Sequence, residues 1–192
     1  SVVLPTLNEE RGVQICIEQI KEAIEQLQMR TEIIVSDSST DRTPIIAKAC
    51  GAIVVEPEEG GYGHAYKTGF GATRGEYIVM GDADATYDFA ELPRLIEPVR
   101  RGEADMVLGS RFQGDIRPGA MPKLHQYVGN PLLTGFLNVF YDADVSDAHS
   151  GYRVFSRDAL EEFDLQSDGM EFASEMVMDA STKGLTIAEV PI

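Results

Sequence analysis

Two carboxylates directly follow a short apolar segment near the middle of the chain. Residues 77–80 read Tyr-Ile-Val-Met, Gly81 ends the apolar run, and Asp82 and Asp84 come next with Ala83 between them. A run of this kind is typical of a buried strand, so both acids are expected just past its end. Mg²⁺ and Mn²⁺ prefer oxygen ligands and often share them with substrate phosphates. We interpret the two acids as ligands of a divalent cation that also binds a diphosphate; the alternative is a solvated acidic turn.

Apolar runs and helical patterns alternate along the first 110 residues. Predicted strands cover residues 2–4, 32–36, 52–56, 77–80 and 104–109, and the segments between them, such as 9–29, carry apolar residues at helical spacing. This alternation predicts an α/β domain with a mostly parallel central sheet and helices on both faces. Compact structure is expected to resume at 150–155, and a final strand is predicted from residue 186. The length of 192 residues favours a single domain, and both ends resemble interrupted strands, so we expect a fragment.

Polar side chains follow three of the predicted strands. Asn8 and Glu9 follow the first, Asp37 follows the second, and Asp82 and Asp84 follow a later one. Because parallel strands end at the same edge of a sheet, these side chains are expected to line one pocket. Asp37 is a candidate to hydrogen-bond a base or ribose, with a local turn or helix cap as the alternative.

A glycine-rich loop at residues 58–64 precedes a predicted helix. A phosphate-binding P-loop requires glycine at the position of Tyr66, and so does the third position of a dinucleotide-binding Gly-x-Gly-x-x-Gly motif. The sequence therefore argues against both motifs. Lys67, the next residue, either approaches a diphosphate or is a solvated helix lysine.

The charge balance argues against a nucleic-acid-binding protein. The net charge is −16, from 32 acidic and 16 basic residues, whereas nucleic-acid binding requires a basic face. A dispersed acidic surface of this size repels itself unless it is screened, which predicts a cytoplasm of high salt concentration. Phosphate ligands remain possible because a metal ion neutralises them locally.

The cysteines and histidines do not form a recognisable metal or redox motif. Cys16 and Cys50 lie in apolar helical segments, which predicts core positions in a reducing compartment. His64, His125 and His149 are too scattered to predict a zinc site. Apolar runs also stay shorter than the ~20 residues of a membrane span.

The local charge is reversed between residues 111 and 124. Arg111, Arg117 and Lys123 face a single acid, Asp115, and an apolar segment follows at 124–141. We interpret the basic residues as phosphate contacts at a membrane surface, with the apolar segment lying in the interface. The alternative is an ordinary pair of core helices.

Five motifs occur in the order found in family 2 glycosyltransferases of the GT-A fold. They are Pro5-Thr6-Leu7-Asn8-Glu9-Glu10, Ser36-Asp37-Ser38-Ser39-Thr40-Asp41, Asp82-Ala83-Asp84, Gly109-Ser110-Arg111-Phe112 and Ser150-Gly151-Tyr152-Arg153. The chain resembles this family over almost its whole length. Within the family it is most similar to the dolichyl-phosphate mannose and glucose synthases.

The resemblance implies an activity and a set of site residues. The activity is inverting, metal-dependent transfer of mannose or glucose from GDP-mannose or UDP-glucose to dolichyl or polyprenyl phosphate, at the cytoplasmic face of the membrane. Mg²⁺ or Mn²⁺ would bind Asp82 and Asp84, and Thr86 replaces a glutamine that often completes the metal shell. The remaining implied or candidate residues are Pro5, Leu7, Glu9, Val35, Asp37, Lys67 and Ala83 for the nucleotide sugar, Arg111 and Arg153 for phosphates, and Arg117 and Lys123 for the acceptor.

The acceptor decides whether a general base is required. A phosphate monoester, with a second pKa near ~6, is already ionised at neutral pH. A hydroxyl acceptor requires a base, for which Asp147 and Glu175 are the candidates; Asp147 is alternatively a loop acid that caps the turn at Ser150. Three hypotheses stay open: transfer to a lipid phosphate, transfer to a glycan hydroxyl in surface polysaccharide assembly, and a non-catalytic nucleotide-sugar-binding module.

Overall fold

Seven strands form one sheet within the part of the chain that the computed structural model describes, residues 1–114 and 130–192. The sheet has the order β3-β2-β1-β4-β6-β5-β7, and β6 alone among these strands runs antiparallel to its neighbours. The strands are β1 (Val2–Thr6), β2 (Ile33–Asp37), β3 (Ile53–Val55), β4 (Tyr77–Met80), β5 (Met106–Ser110), β6 (Arg153–Ser156) and β7 (Ile187–Pro191). The predicted mostly parallel sheet is confirmed.

Helices connect the strands and cover the sheet. They are α1 (Val13–Leu27), α2 (Thr43–Ala49), α3 (Tyr62–Gly71), α4 (Leu92–Arg100), α5 (Asn130–Tyr141), α6 (Arg157–Glu162) and α7 (Phe172–Thr182), with a 3₁₀ turn at Phe89–Glu91 before α4. The first helix begins at Val13 and not at residue 9 as predicted. The amides of Gly12 and Val13 both donate to the carbonyl of Glu9, so residues 9–12 form a turn.

The central strands bury both of their faces. Val2 and Leu4 of β1 point into a core shared with α1 and α4, while Val3 points into a second core shared with α3 and α7. This alternation is the period of two that strand geometry imposes. Cys16 is fully buried in the first core and Cys50 packs against it, as predicted. Helices therefore cover both faces of the sheet, as the sequence predicts.

The reversed strand β6 determines which loops meet. It lies between β4 and β5, with Val154 paired to Val79 on one side and to Val107 on the other. Since β6 is antiparallel, the segment that precedes it reaches the edge where the parallel strands end. Asp147 to Arg153 and the end of β5 therefore lie at the same edge as Asp82 and Asp84.

Candidate functional site

Two loops at this edge are joined by side-chain hydrogen bonds. Asn8, with a left-handed φ of 61°, accepts from the amide of Thr40 at 3.0 Å and donates its own amide to the Ser39 hydroxyl at 2.7 Å. Asp37 Oδ1 accepts from the hydroxyls of Thr6 at 2.7 Å and Ser39 at 2.6 Å. These contacts fix the ends of β1 and β2 side by side. Asp37 thus links the two loops through hydroxyl groups, and its predicted contact with a nucleotide stays a prediction.

The other residues predicted to bind the nucleotide differ in their accessibility. Leu7 is 65% exposed and Pro5 is partly buried, so both are reachable from solvent. Val35 is fully buried in the core, and a nucleotide contact there would fall on its main chain. Burial, followed by the charges of Asp84 and Asp41, raises the pKa of Glu9 above its ordinary value. Negative charge is therefore concentrated at this part of the edge.

Asp82 is held by two tyrosines that the sequence analysis did not identify. Its Oδ1 accepts from the hydroxyls of Tyr62 at 3.1 Å and Tyr66 at 3.3 Å. A Cβ added to Gly151 would lie 2.8 Å from Asp82 Oδ2, so the glycine leaves room for this carboxylate. Burial, and then the charge of Asp84, raises the pKa of Asp82 to about 6. The carboxylate is oriented, but its negative charge is not balanced.

Asp84 is exposed, and its partner is the residue that replaces the family's glutamine. Asp84 Oδ1 accepts from the amide of Thr86 at 2.9 Å and from the Thr86 hydroxyl. Ala85 between them has a left-handed φ of 62°. Gly12 lies against this loop, because a Cβ there would meet the carbonyl of Ala83 at 2.4 Å. The Asp-Ala-Asp loop is therefore packed tightly against the start of α1.

The ligand oxygens of Asp82 and Asp84 suit a divalent cation that also binds a substrate. Asp82 and Asp84 supply hard carboxylate oxygens, and their mutual repulsion contributes to the raised pKa of Asp82. Within residues 1–114 and 130–192, no group of three or more His, Cys, Asp or Glu is placed to hold a metal. A pair of carboxylates completed by phosphates and water is the arrangement that Mg²⁺ often adopts. The third protein ligand, in doubt because of Thr86, stays open.

Arg111 and Asp147 form a bidentate ion pair. Arg111 Nε and Nη2 donate to the two Asp147 oxygens at 2.7 and 2.8 Å, and the Arg111 amide donates to Oδ2 at 3.2 Å. Asp147 is fully buried, whereas the Arg111 side chain is 27% exposed. Glu189 of β7 accepts from the amides of Ser146 and Asp147 at 2.9 and 3.1 Å. Asp147 thus anchors Arg111 and does not cap the turn at Ser150 with its side chain; its predicted role as a base stays a prediction.

The second base candidate, Glu175, is also engaged. Its two carboxylate oxygens accept from the amides of Gln166 at 2.8 Å and Ser167 at 2.9 Å. Glu175 therefore fixes the loop before α7. Neither predicted base has a carboxylate oxygen without a hydrogen bond.

Arg153 is fully buried beneath the site. Its Nε donates to the carbonyl of Ser150 at 2.8 Å and its Nη2 to the carbonyl of Ala148 at 2.9 Å, while Nη1 has no hydrogen-bond partner among the described residues. Burial lowers the pKa of this guanidinium. In this structure Arg153 supports the 148–150 loop, and its predicted contact with an acceptor phosphate stays a prediction.

A cavity of about 290 Å³ lies between the loop after β4 and the loops next to β5 and β6. Asp82 and Tyr62 line one side, and Arg111 and His149 line the other. His149 Nε2 lies 3.0 Å from the Ser174 hydroxyl, and burial lowers the pKa of the ring, which favours the neutral form. A diphosphate in this cavity would meet the Asp82 carboxylate and the Arg111 guanidinium together. A larger cavity of about 410 Å³, beside Lys21 and Ile53, contains none of the motif residues.

Some predicted site residues are not brought into this cavity. Lys67 Nζ pairs with Asp168 Oδ1 at 2.6 Å and donates to the carbonyl of Gln166 at 3.1 Å, so in this structure it does not approach the carboxylate pair. Arg117 and Lys123, together with Asp115 and His125, lie outside the described residues. The predicted basic segment therefore stays a prediction.

Three tyrosines are the main residues that sequence reasoning missed. Tyr62 and Tyr66 bind Asp82, and the Tyr87 hydroxyl accepts from the amide of Gly151 at 2.8 Å. Tyr62 and Tyr66 are one helical turn apart; Tyr62 lies within the glycine-rich loop and Tyr66 just after it. That spacing places both hydroxyls on one face of α3, and it was a signal available in the sequence.

Comparison with known proteins identifies the family to which this chain belongs. Residues 1–164 match the family described as Glycosyl transferase family 2, and the chain belongs to that family. The sequence resemblance is thereby confirmed, and so is the expected GT-A fold, because a solved structure of the fold superposes on nearly the whole chain.

Particular relatives are similar over the full length of the chain. The low-salt glycan biosynthesis hexosyltransferase Agl6 of Haloferax volcanii is 64% identical over 192 residues, which are 100% of this chain and 46% of that protein. A dolichyl-phosphate hexose transferase of the same organism is 32% identical, with 100% of this chain and 81% of that protein covered. Glucosyl-3-phosphoglycerate synthase of Mycobacterium tuberculosis, solved with Mn²⁺, UDP and glucosyl-3-phosphoglycerate, has a TM-score of 0.80 and 30% identity over 99% of this chain and 68% of that chain.

The chain thus spans less than half the length of the first of these relatives. In residues 1–114 and 130–192, no helix combines the length and the apolar character needed to cross a membrane.

Proposed function

We propose that this domain transfers a hexose, mannose or glucose, from a nucleotide-diphosphate sugar to a polyprenyl or dolichyl phosphate with inversion at the anomeric carbon. The proposal places the reaction at the cytoplasmic face of the membrane. Family membership and relatives named as hexosyltransferases support the reaction class.

The sugar donor would lie along the loops after β1, β2 and β4. Leu7 and Asp37 would contact the nucleotide, and Asp82, which lines the cavity, would lie beside the diphosphate together with Asp84. A divalent cation bound there would act as a Lewis acid that stabilises the departing diphosphate. Arg111, the partly exposed guanidinium in the cavity, would bind phosphate oxygens of the donor or the acceptor.

The proposed acceptor rests on one observation, the hydrogen-bond partners of the two candidate bases. Both oxygens of Asp147 are bound by Arg111, and both oxygens of Glu175 are bound by backbone amides. Neither carboxylate is among the residues that line the cavity beside Asp82 and Arg111. A phosphate monoester needs no such base, because it is already ionised at neutral pH. These contacts support a phosphate acceptor over a glycan hydroxyl that Asp147 or Glu175 would deprotonate.

The test compares two acceptors that differ only at the reacting group. The chain is incubated with Mn²⁺ and labelled GDP-mannose or UDP-glucose, together with either polyprenyl phosphate or the unphosphorylated polyprenol. We expect labelled lipid only with the phosphate. We also expect Asp84→Ala to reduce the rate on the order of a thousandfold, because the cation loses a ligand. Asp88→Ala is the matched control, since this acid caps the 3₁₀ turn beside the site and contacts Ala90 instead.

Other outcomes would overturn parts of the proposal. Transfer to a glycan hydroxyl would show that the acceptor is wrong. Binding of the sugar donor with no turnover on any acceptor would indicate a non-catalytic module. An undiminished rate in Asp84→Ala would refute the assignment of the metal ligand.

A further inference from the structure

Glu189 of β7 lies on a face of the sheet that is otherwise apolar. Its neighbours Ala188 and Val190 pack against the first core, whereas Ile187 packs against the second. Side chains alternate between the two faces of a strand, so Glu189 lies on the same face as Ile187. The residue is partly buried. A carboxylate in this position requires hydrogen-bond donors, because burial removes part of its hydration.

Four donors bind the two oxygens of Glu189. Oε1 accepts from the amides of Ser146 and Asp147 at 2.9 and 3.1 Å, and from the Ser146 hydroxyl at 3.0 Å. Oε2 accepts from Gln113 Nε2 at 2.6 Å. The donors belong to two loops, one after β5 and one before β6. A single carboxylate therefore joins these loops to the strand β7.

The same two loops carry the bidentate ion pair of the site. Arg111 follows Ser110 and Asp147 follows Ser146, and the hydroxyls of the two serines lie 2.6 Å apart. The Arg111 side chain lines the cavity, whereas Glu189 is not among the described residues that line it. Glu189 reaches Asp147 through the main-chain amide, and Asp147 in turn binds the guanidinium of Arg111. Any effect of Glu189 on a bound ligand would therefore pass through this ion pair.

We propose that Glu189 is a positioning residue that fixes the Arg111 guanidinium, through Asp147, where it binds the diphosphate of the sugar donor. This inference rests on the proposed function, in which Arg111 binds phosphate oxygens. Without Glu189 the amides of the 146–147 segment lose their acceptor, so the segment can shift and Asp147 moves with it. A guanidinium displaced by about 1 Å no longer matches the oxygens that it binds.

Nucleotide binding gives the first test. Glu189→Leu removes both acceptor oxygens, whereas Glu189→Gln keeps one carbonyl oxygen for the two amides. Calorimetry with UDP and with GDP, each in the presence of Mn²⁺, should show about tenfold weaker binding to Glu189→Leu and little change in Glu189→Gln, for whichever nucleotide the wild type binds. Mn²⁺ alone should bind all variants equally, because Asp82 is held by tyrosines on the other side of the cavity. Glu161→Leu, at an exposed position on α6, is the matched control.

A double substitution distinguishes positioning from a general loss of stability. Arg111→Ala should also weaken nucleotide binding about tenfold, because a charged hydrogen bond to phosphate is lost. Adding Glu189→Leu to Arg111→Ala should cause no further loss, since the guanidinium that Glu189 positions is absent. Additive losses would overturn the inference, and so would unchanged binding in Arg111→Ala.

Exchange of the Arg111 Nε proton with water, followed by nuclear magnetic resonance, needs no ligand. Arg111 Nε donates to Asp147 Oδ2 at 2.7 Å, so exchange should be slow in the wild type and faster in Glu189→Leu shown to be folded by circular dichroism. If Glu189→Leu does not fold, Glu189→Asp, which is one methylene shorter, is measured in its place. An unchanged exchange rate would overturn the inference. A wild type that binds neither nucleotide would instead contradict the proposed function, and the exchange rate would still decide whether Glu189 positions Arg111.

Discussion

The two sides of the cavity balance their charges in different ways. The aspartate side, formed by the loops after β1, β2 and β4, contains carboxylates whose partners are hydroxyls and amides, such as Asp82 with Tyr62 and Tyr66. The arginine side, formed by the loops around β5 and β6, contains Arg111 in a bidentate pair with Asp147. One side thus carries negative charge without a cation, and the other neutralises itself.

Because of this difference, only the aspartate side is expected to depend on a bound cation. Hydroxyls orient a carboxylate but do not cancel its charge, so the aspartate side is expected to gain stability when a cation binds. A buried ion pair already supplies its own counter-charge, so the arginine side is expected to be stable without a ligand and sensitive to the loss of either partner.

The largest effect is expected on the arginine side. Asp147→Asn removes the negative charge from a fully buried position and leaves the Arg111 guanidinium without its counter-ion. We expect a loss of roughly 3 kcal/mol in the free energy of unfolding, near the lower end for a broken buried pair because Arg111 is partly exposed. Urea unfolding measures it. The control is Asp144→Asn, an exposed acid on the same loop with a left-handed φ of 48°, which asparagine tolerates. Equal stability of the two variants would contradict the conclusion that Arg111 depends on Asp147 as its counter-ion.

A smaller effect is expected on the aspartate side. Tyr62→Phe removes a hydroxyl that donates to Asp82 Oδ1 at 3.1 Å and leaves the ring in place. We expect Mn²⁺ to bind about tenfold more weakly, because a ligand that has lost its outer hydrogen bond is less well oriented and less readily ionised. Electron paramagnetic resonance of free Mn²⁺ gives the affinity without an activity assay. Tyr77→Phe on β4 is the matched control, and an unchanged affinity in Tyr62→Phe would show that this hydroxyl does not orient a metal ligand.

The aspartate side could be predicted from the sequence because its residues lie next to their strands in the sequence. Each loop follows its strand directly, so the run at 77–80 followed by Asp82 and Asp84 is sufficient to place both acids past a strand end. The same reasoning placed Asn8, Glu9 and Asp37 at that edge, and the structure brings their loops together.

The arginine side depends on contacts between residues far apart in sequence. Arg111 and Asp147 are 36 residues apart, and Glu189 reaches the Asp147 loop from 42 residues away. No spacing rule connects such positions, so the sequence does not predict the ion pair between Asp147 and Arg111. The antiparallel direction of β6 was also not predicted, because direction within a sheet follows from the crossover and not from the strand's own residues.

The smallest predicted effect concerns pH and the unbalanced charge of Asp82. Its pKa is raised from an ordinary 3.8 to about 6, so ionisation of Asp82 destabilises the metal-free folded state as the pH rises through this window. Asp82→Asn has no such ionisation. The stability of this variant relative to the wild type should therefore increase between pH 3.8 and about 6, on the order of 1 kcal/mol once partial exposure is allowed for.

Urea unfolding of both proteins across this pH range, in molar KCl with a chelator, measures the difference and cancels the titration of the other acids. Mn²⁺ should then raise the stability of the wild type above about pH 6, where Asp82 is ionised, and have little effect near pH 4, where it is protonated. A stability difference that does not vary with pH would mean that the charge of Asp82 is already balanced in the metal-free protein. The two sides of the cavity would then not differ in the way proposed, and a cation would have no unbalanced charge to neutralise there.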